Sequence, residues 1–162
     1  MQNEDAFQKA LSFTLRWEGS YNYCDPDDSG GCTMKGITQN TYDEYLTKRR
    51  YKTRNVRDIE DSEVEDIYRQ HYWYASQANL QATPQLAIAL FDFAVNSGPG
   101  RAKRYLANCR KKNFTPVDVL ACYLDSREQF FHQIAKGRNS KFLSGWLNRV
   151  KDLRRYLTEE FS

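Results

Sequence analysis

Residues 16–38 read RWEGSYNYCDPDDSGGCTMKGIT, and this stretch separates one clear helix from the rest of the chain. Apolar residues before it recur at helical spacing, so the pattern predicts a first helix over residues 5–18. Gly19 is a typical residue just beyond a helix end. Residues 19–38 are rich in Gly, Asp, Asn and Ser, which indicates an irregular segment with room for a small β element. Long irregular segments in compact domains are often functional, so we look for the site here.

The remainder of the chain shows the same helical spacing of apolar residues, interrupted at short polar breaks. Thr83-Pro84 and Thr115-Pro116 each place a capping residue before a proline at the first helical position. The tract NSGPG at residues 96–100 breaks the pattern. The spacing predicts six further helices, over residues 39–50, 61–72, 84–95, 101–111, 116–136 and 141–158. The predicted fold class is all-α, in one domain over residues 1–162.

Charge is unevenly distributed along the chain. Residues 1–99 carry 10 Lys/Arg and 15 Asp/Glu, whereas residues 100–162 carry 14 Lys/Arg and 6 Asp/Glu. A basic half fits an anionic partner such as a cell wall, a lipid surface or a nucleic acid, or it consists only of solvated helix faces. No nucleic-acid motif is present and the first half is acidic, so nucleic acid is not an expected partner. Four residues of the last predicted helix are expected to attract an anionic wall or membrane: Arg149, Lys151, Arg154 and Arg155.

The sequence also suggests where the protein is made. No segment reaches the roughly 18 apolar residues of a membrane span, so no stable membrane anchor is expected. Residues 1–5, MQNED, are acidic and are not followed by the apolar core of a signal peptide. We expect synthesis in a cytoplasm, followed by release to the wall or periplasm through a holin-like or other export route. A monomer is expected.

Cysteines and histidines do not form a metal-site pattern. There is no Cys-x-x-Cys pair and both histidines are far from any cysteine cluster, so zinc is not predicted. The four cysteines are Cys24, Cys32, Cys109 and Cys122. They allow three pairings, and the sequence does not choose among them. Free thiols are the default in a cytoplasm, whereas Cys24 and Cys32 flank one loop and can bridge it in an oxidising compartment.

The same loop begins like a calcium-binding loop. Asp25, Asp27 and Ser29 alternate before Gly30, as in the first half of an EF-hand loop. The twelfth position, which supplies a bidentate glutamate in such loops, is Gly36. We therefore predict no metal and no other cofactor.

Glu18 is the first candidate for chemistry, because it ends the first predicted helix next to Trp17. The negative end of the helix dipole and an apolar neighbour disfavour a negative charge there, which suits a group that must donate a proton. Asp27 follows nine residues later and Thr33 fifteen residues later. A glycosidase needs one protonated carboxyl group and a second, ionised group that steers water or stabilises an oxocarbenium-like centre. The spacing predicts Glu18 as general acid, Asp27 as second carboxylate and Thr33 as its assistant.

Three further residues are candidates for substrate binding. Asn96 and Ser97 have amide and hydroxyl groups suited to the N-acetyl and hydroxyl groups of a sugar, although both also suit the end of a helix. Tyr21 can stack on a sugar ring or pack in the core. Asp92 stands between two phenylalanines, and for it we favour a structural role with a buried partner.

The residues after the first helix resemble the signature of glycoside hydrolase family 108. That signature reads E-G-G-Y and then D-P-x-D-x-G-G-x-T-x-x-G-I-T, and the chain reads EGSY at residues 18–21 and DPDDSGGCTMKGIT at residues 25–38. The segments IYR, YW and FDFAVNSGPGRA, at residues 67–69, 72–73 and 91–102, resemble the same family. Residues 142–150, FLSGWLNRV, resemble the predicted peptidoglycan-binding region that usually follows.

This resemblance implies a lysozyme-like helical fold and N-acetylmuramidase activity on peptidoglycan glycan strands. The bond cleaved would be the β-1,4 bond between N-acetylmuramic acid and N-acetylglucosamine. Residues 1–95 would form the muramidase motif region, and residues 96–162 a peptidoglycan-binding helical region packed on it. The family includes phage endolysins and bacterial secretion activators.

Several alternatives remain open within the resemblance. A lytic transglycosylase needs the acid but no second carboxylate, and a wall-binding secretion-accessory protein would bind peptidoglycan without cutting it. Asp25 belongs to the motif, so it is an alternative to Asp27 as the second carboxylate. Ser20 replaces a glycine of the family, and the cysteine pair Cys24 and Cys32 lies outside the general pattern.

Overall fold

The computed structural model describes residues 2–19, 21–22, 32–112 and 114–162, with the backbone alone at residues 2, 21 and 22. The helices of the described part are α1 (Gln2–Glu18), α2 (Gln39–Lys48), α3 (Asp61–Tyr68), α4 (Pro84–Ser97), α5 (Pro99–Arg110), α6 (Pro116–Ile134) and α7 (Leu143–Glu160). The strands are β1 (Tyr21–Asn22), β2 (Thr33–Met34) and β3 (Ile37–Thr38), which form one antiparallel sheet in the order β1-β2-β3. The predicted fold class, all-α with a small β element after the first helix, is confirmed.

Threonine caps begin three of the helices. Thr38 accepts a hydrogen bond from the Thr41 amide at the start of α2, at 3.2 Å. The predicted caps at residues 83 and 115 accept from the amides of residues 86 and 118, each at 3.3 Å. Each cap satisfies an amide that has no partner within its helix. The predicted starts of α4 and α6 at their prolines are therefore confirmed.

The predicted break over residues 96–100 is shorter in the structure. Helix α4 continues through Ser97 and α5 begins at Pro99, so Gly98 alone separates the two helices. Its φ of 95° lies where side chains are disfavoured. The Gly98 amide donates to the Ala94 carbonyl, and the Gly98 carbonyl accepts from the Ala102 amide. A second difference follows α3, whose helical course continues as a π-helix over Arg69–Tyr74, two residues beyond the predicted end.

The chain divides into two compact units. The smaller unit is Leu11–His71, and the larger unit is Met1–Ala10 together with Tyr72–Ser162. Of the described helices, none combines the length and apolar character that crossing a membrane requires. The assignment of residues 1–95 and 96–162 to two motif regions stays a prediction.

In the larger unit α4 is the central helix. Every residue from Leu86 to Phe93 is buried, so this helix is covered on all sides. Phe91 packs edge-on against Phe7 and Trp73, with ring centroids 6.0 and 5.8 Å apart. Helices α5, α6 and α7 follow, and α5 and α6 are joined by the disulfide Cys109–Cys122, with Cα atoms 5.9 Å apart. Cys32 is disulfide-bonded as well, and Cys24 lies outside the described residues.

A buried carboxylate ties three helices of this unit together. Asp92 on α4 is fully buried and accepts hydrogen bonds from Arg127 on α6, at 2.7 Å, and from Arg149 on α7, at 2.7 and 3.1 Å. Burial opposes ionisation, but the guanidinium groups of Arg149 and Arg127 outweigh it and lower the pKa of Asp92 to about 2. The structural role predicted for Asp92 is confirmed. The surface role predicted for Arg149 is wrong, because its guanidinium group is needed against this buried charge.

We expect Asp92→Asn to destabilise the protein by about 3–5 kcal/mol, because it leaves two buried arginines without their counter-charge. Urea unfolding monitored by circular dichroism gives the free energy of unfolding. The control is Asp125→Asn, which removes a partner of Arg154 at an exposed carboxylate and should cost less than about 1 kcal/mol.

The lowered pKa of Asp92 also predicts how the stability lost in Asp92→Asn depends on pH. A lowered pKa in the folded state stabilises the fold fully above the ordinary value of 3.8, and this contribution is lost as the pH falls towards about 2. The difference in stability between wild type and Asp92→Asn should therefore narrow over that interval. A difference that stays constant from neutral pH to about pH 2 would contradict the assignment.

Candidate active site

The predicted general acid stands at the last residue of α1. Helix α1 ends at Glu18, and Gly19 follows with a φ of 76°, the left-handed conformation expected just beyond a helix. The predicted helix end is therefore confirmed. Glu18 is partly buried, so its side chain has both protein neighbours and access to solvent.

A tight β-hairpin lies against this helix end. Strands β2 and β3 are joined by Lys35 and Gly36, whose φ values are 50° and 75°. Two successive positive φ angles match the turn that suits the twist of paired strands. The register pairs Met34 with Ile37, so the turn itself contains only those two residues.

The backbone of Gly36 lies close to two side chains, those of Glu18 and Tyr68. A Cβ atom placed on Gly36 would lie 3.0 Å from Oε2 and 3.1 Å from Cβ of Glu18. The same Cβ would lie 2.5 Å from the hydroxyl oxygen of Tyr68. Real Cβ atoms essentially never come within 3.0 Å of another atom, so any side chain at residue 36 would force Tyr68 to move, and its distances to Glu18 would be tighter than most real contacts.

Tyr68, at the end of α3, fixes the turn. It is 1% exposed, and its hydroxyl donates a hydrogen bond of 2.7 Å to the carbonyl of Lys35. The ammonium group of Lys35 pairs in turn with Asp61 at the start of α3. The first and last residues of α3 therefore both hold the hairpin turn that contacts Glu18.

A second polar cluster joins α2 to α3 in the same unit. The buried hydroxyl of Tyr42 donates to Glu63 at 2.7 Å, and Arg54 donates to the other oxygen of that carboxylate at 2.5 Å. Burial and the hydrogen bond to Glu63 raise the pKa of Tyr42 well above its usual range. This network keeps the elements that carry the hairpin in place.

The structure places the remaining predicted site residues as follows. Thr33 is partly buried in β2, where it pairs with Asn22 on one side and Thr38 on the other, in the same hairpin that contacts Glu18. Asp25 and Asp27 lie outside the described residues. The backbone of Tyr21 pairs with Met34, and nothing is described of its side chain.

Asn96 and Ser97 belong to the larger unit, in the last turn of α4. The Ser97 hydroxyl donates to the side-chain oxygen of Asn96 at 2.9 Å, and the Ser97 carbonyl accepts from Arg101 at 3.1 Å. Their use in substrate binding stays a prediction, as do the roles of Tyr21, Asp25, Asp27 and Thr33. In the described ranges, no group of His, Cys, Asp or Glu side chains is arranged to hold a metal ion.

Sequence reasoning missed Gly36 and Tyr68 as residues that position the acid. Both stand in motifs that carry the family resemblance, Gly36 in KGIT and Tyr68 in IYR. The motif contains these residue types together with the acid, but it does not show why they are needed. The structure explains it by a three-way contact among α1, the hairpin and α3. That contact exists only in the folded chain.

We expect Gly36→Ala to destabilise the fold by about 2–5 kcal/mol, the sum of a left-handed backbone at a non-glycine residue and a forced close contact. The matched control is Gly137→Ala, because Gly137 also has a positive φ, of 58°, and nothing lies within 4 Å of an added Cβ. It should cost only about 1–2 kcal/mol.

A double-mutant cycle isolates the contact. Tyr68→Phe removes the oxygen that the new Cβ would meet, so the double variant should cost less than the sum of the single variants, by about 0.5–3 kcal/mol. Thermal and urea unfolding give the free energy of unfolding of the wild type, the two single variants and the double variant. Strict additivity would show that the hydroxyl of Tyr68 does not limit the space at Gly36.

Comparison with known proteins places the chain in a family. A family model described as "Glycosyl hydrolase 108" matches residues 11–98, which include Glu18, the hairpin and α3. The solved structure of Brucella abortus SagA is similar along the chain, with a TM-score of 0.75, 25% sequence identity, and coverage of 96% of this chain and 95% of that one. No curated protein matches. Because the family model matches more than half of its length, the chain belongs to the glycosyl hydrolase 108 family.

Proposed function

We propose that the protein is a peptidoglycan N-acetylmuramidase with Glu18 as its general acid. The observation that carries the proposal is the position of Glu18, at the end of α1 and in contact with the hairpin turn at Gly36. An acid that protonates a glycosidic oxygen must be held in one place while its substrate binds. Membership of a glycosyl hydrolase family supports hydrolysis of a glycosidic bond. The β-1,4 bond to N-acetylmuramic acid is our proposal for its specificity.

The proposed reaction uses side chains alone. Glu18 gives its proton to the leaving oxygen while the sugar ring develops positive charge. Asp27 orients water or stabilises that charge, and Thr33 holds the water from β2. Acid–base hydrolysis of this kind needs no metal or organic cofactor. Tyr21, Asn96 and Ser97 are proposed to contact the glycan strand.

The proposed place of action is the cell wall or periplasm, reached after release from the cytoplasm. The disulfide Cys109–Cys122 supports this, because disulfides persist in oxidising compartments and are rare where thiols are kept reduced. We also propose that the protein acts as a monomer.

Glu18→Gln should lower the rate of peptidoglycan clearing by about 10²–10⁴-fold, because the amide keeps the shape of the acid but has no proton to give. Turbidity of a suspension of purified peptidoglycan measures the rate, and a zymogram checks it. Glu44→Gln is the control, since Glu44 is an exposed carboxylate on α2, and it should clear at the wild-type rate. Equal clearing by Glu18→Gln and wild type would remove Glu18 from the mechanism.

The second carboxylate is chosen by a comparison of Asp27→Asn with Asp25→Asn. We expect the larger loss of clearing rate for Asp27→Asn, because Asp27 follows Glu18 at the spacing predicted for the pair. Asp58→Asn, at an exposed position of the smaller unit, controls for loss of one negative charge. A larger loss for Asp25→Asn would reassign the role.

A further inference from the structure

Helix α5 and the two residues after it carry positive charge and no acidic residue. The chain has no Asp or Glu from residue 93 to residue 117, and this tract contains six basic residues: Arg101, Lys103, Arg104, Arg110, Lys111 and Lys112. No ion pair involving them occurs within the described part of the chain. Such a one-signed surface raises the local concentration of anions.

Four other cations of the second half are paired with acids. Arg127 and Arg149 are bound to Asp92, and Arg154 pairs with Asp125 and Glu128. Arg155 pairs with Asp152. Ten Lys and Arg residues of the second half form no ion pair in the described part of the chain; six of them lie on α5 or directly after it, and one, Lys151, lies on the last helix.

Part of α5 lines a groove with a volume of about 440 Å³. Lys103 and Arg110 on α5 and Lys111 directly after it line one side, and Gln77 and Gln81 line it from the segment before α4. All these residues belong to the larger unit. We call this cavity the α5 groove.

The guanidinium group of Arg110 is fixed in the groove by a short chain of amides. Its Nη2 donates to the side-chain oxygen of Gln81 at 2.5 Å, and the side-chain nitrogen of Gln81 donates to the carbonyl of Gln77 at 2.7 Å. Gln77 has a φ of 64°, an uncommon conformation for a residue other than glycine. Observed backbone strain of this kind is found often at binding sites. The other donors of a fixed guanidinium group suit an anion with two oxygens.

The composition of the lining selects among anionic ligands. None of its side chains is aromatic, whereas binding of single-stranded nucleic acid relies on aromatic rings that stack on bases. Its apolar residues are Leu106, which is 3% exposed, and Ala107, so no large apolar side chain is available to enter a bilayer. A concave, cationic and non-aromatic groove fits phosphate groups joined by small, polar linkers.

We propose that the α5 groove binds the phosphate groups of a polyol-phosphate polymer of the kind that bacterial walls carry. Lys103 and Lys111 act as point charges, and Arg110 binds phosphate oxygens in a fixed orientation. The placement at a wall rests on the proposed function, whereas the binding itself does not require hydrolysis. Such binding would hold the enzyme at phosphate-bearing regions of its substrate.

The test measures binding of a fluorescently labelled poly(glycerol phosphate) oligomer by anisotropy at near-physiological salt. The triple variant Lys103→Gln/Arg110→Gln/Lys111→Gln should bind at least about 10-fold more weakly than wild type, since charge-assisted bonds to phosphate are lost. The matched control is Lys136→Gln/Arg138→Gln/Lys141→Gln, which removes the same charge from exposed positions outside the groove. It should change the affinity by less than about 2-fold, since exposed charges away from the site act only through screened, long-range attraction.

Further variants distinguish binding in the groove from nonspecific attraction and from binding at the active site. Arg110→Lys keeps the charge but loses the two-pronged geometry, so it should bind the oligomer more weakly than wild type. This single variant also tests the groove if the triple variant does not fold. Glu18→Gln should bind the oligomer as wild type does, and the triple variant should clear phosphate-free peptidoglycan at the wild-type rate. The last two readouts make failure of the groove distinguishable from failure of the proposed function.

Four results would overturn the proposal. The first is that the groove variant and its control weaken binding of the oligomer equally. The second and third are that wild type binds polyglutamate as tightly as the oligomer, or binds single-stranded DNA or anionic phospholipid vesicles more tightly than the oligomer. The fourth is that the triple variant no longer clears phosphate-free peptidoglycan. The last of these would assign the groove to the glycan itself.

Discussion

The constraint on which the candidate site depends is the lack of a side chain at Gly36. Glu18 and Tyr68 come from two different helices, and both reach the point where a Cβ of residue 36 would stand. The turn of the hairpin can approach both only because that atom is missing. The hydrogen bond from Tyr68 to the Lys35 carbonyl then holds the turn in this position. A mobile glutamate at a helix end is in this way converted into a positioned one.

The larger unit is organised by a different interaction, the burial of Asp92 with two arginines. One carboxylate fixes α4 to α6 and α7, and it uses cations that would otherwise lie on the surface. The aromatic rings of Phe93 and Phe131 lie 5.0 and 5.5 Å from the guanidinium carbon of Arg127, and their faces stabilise its positive charge. Helix α5 has no part in this network, and its basic residues form no ion pair in the described part of the chain. The distribution of charge on the folded chain thus differs from the distribution along the sequence.

Much of the fold can be predicted because it follows from local patterns. The helix end at Glu18 and the starts at Pro84 and Pro116 depend on nearby caps, glycines and prolines, and the sequence predicts them at the observed residues. The end of α4 is predicted too early because NSGPG looks like a loop, whereas Gly98 alone can make the turn. The burial of Arg149 could not be predicted, since its partner Asp92 is 57 residues away. For the same reason motif spacing identifies Glu18 but does not explain Gly36 or Tyr68.

The central claim is that the protein is a hydrolytic muramidase with Glu18 as its acid. Its most direct test is to identify the soluble products that the wild-type protein releases from purified peptidoglycan. Mass spectrometry after borohydride reduction identifies the new chain ends. We predict reducible N-acetylmuramic acid ends and no anhydro-muramyl ends. Anhydro ends would show transglycosylation, and N-acetylglucosamine ends would show cleavage of the other glycosidic bond. Binding without any released product would show that the protein only attaches to the wall, and each of these three results would contradict the proposed mechanism.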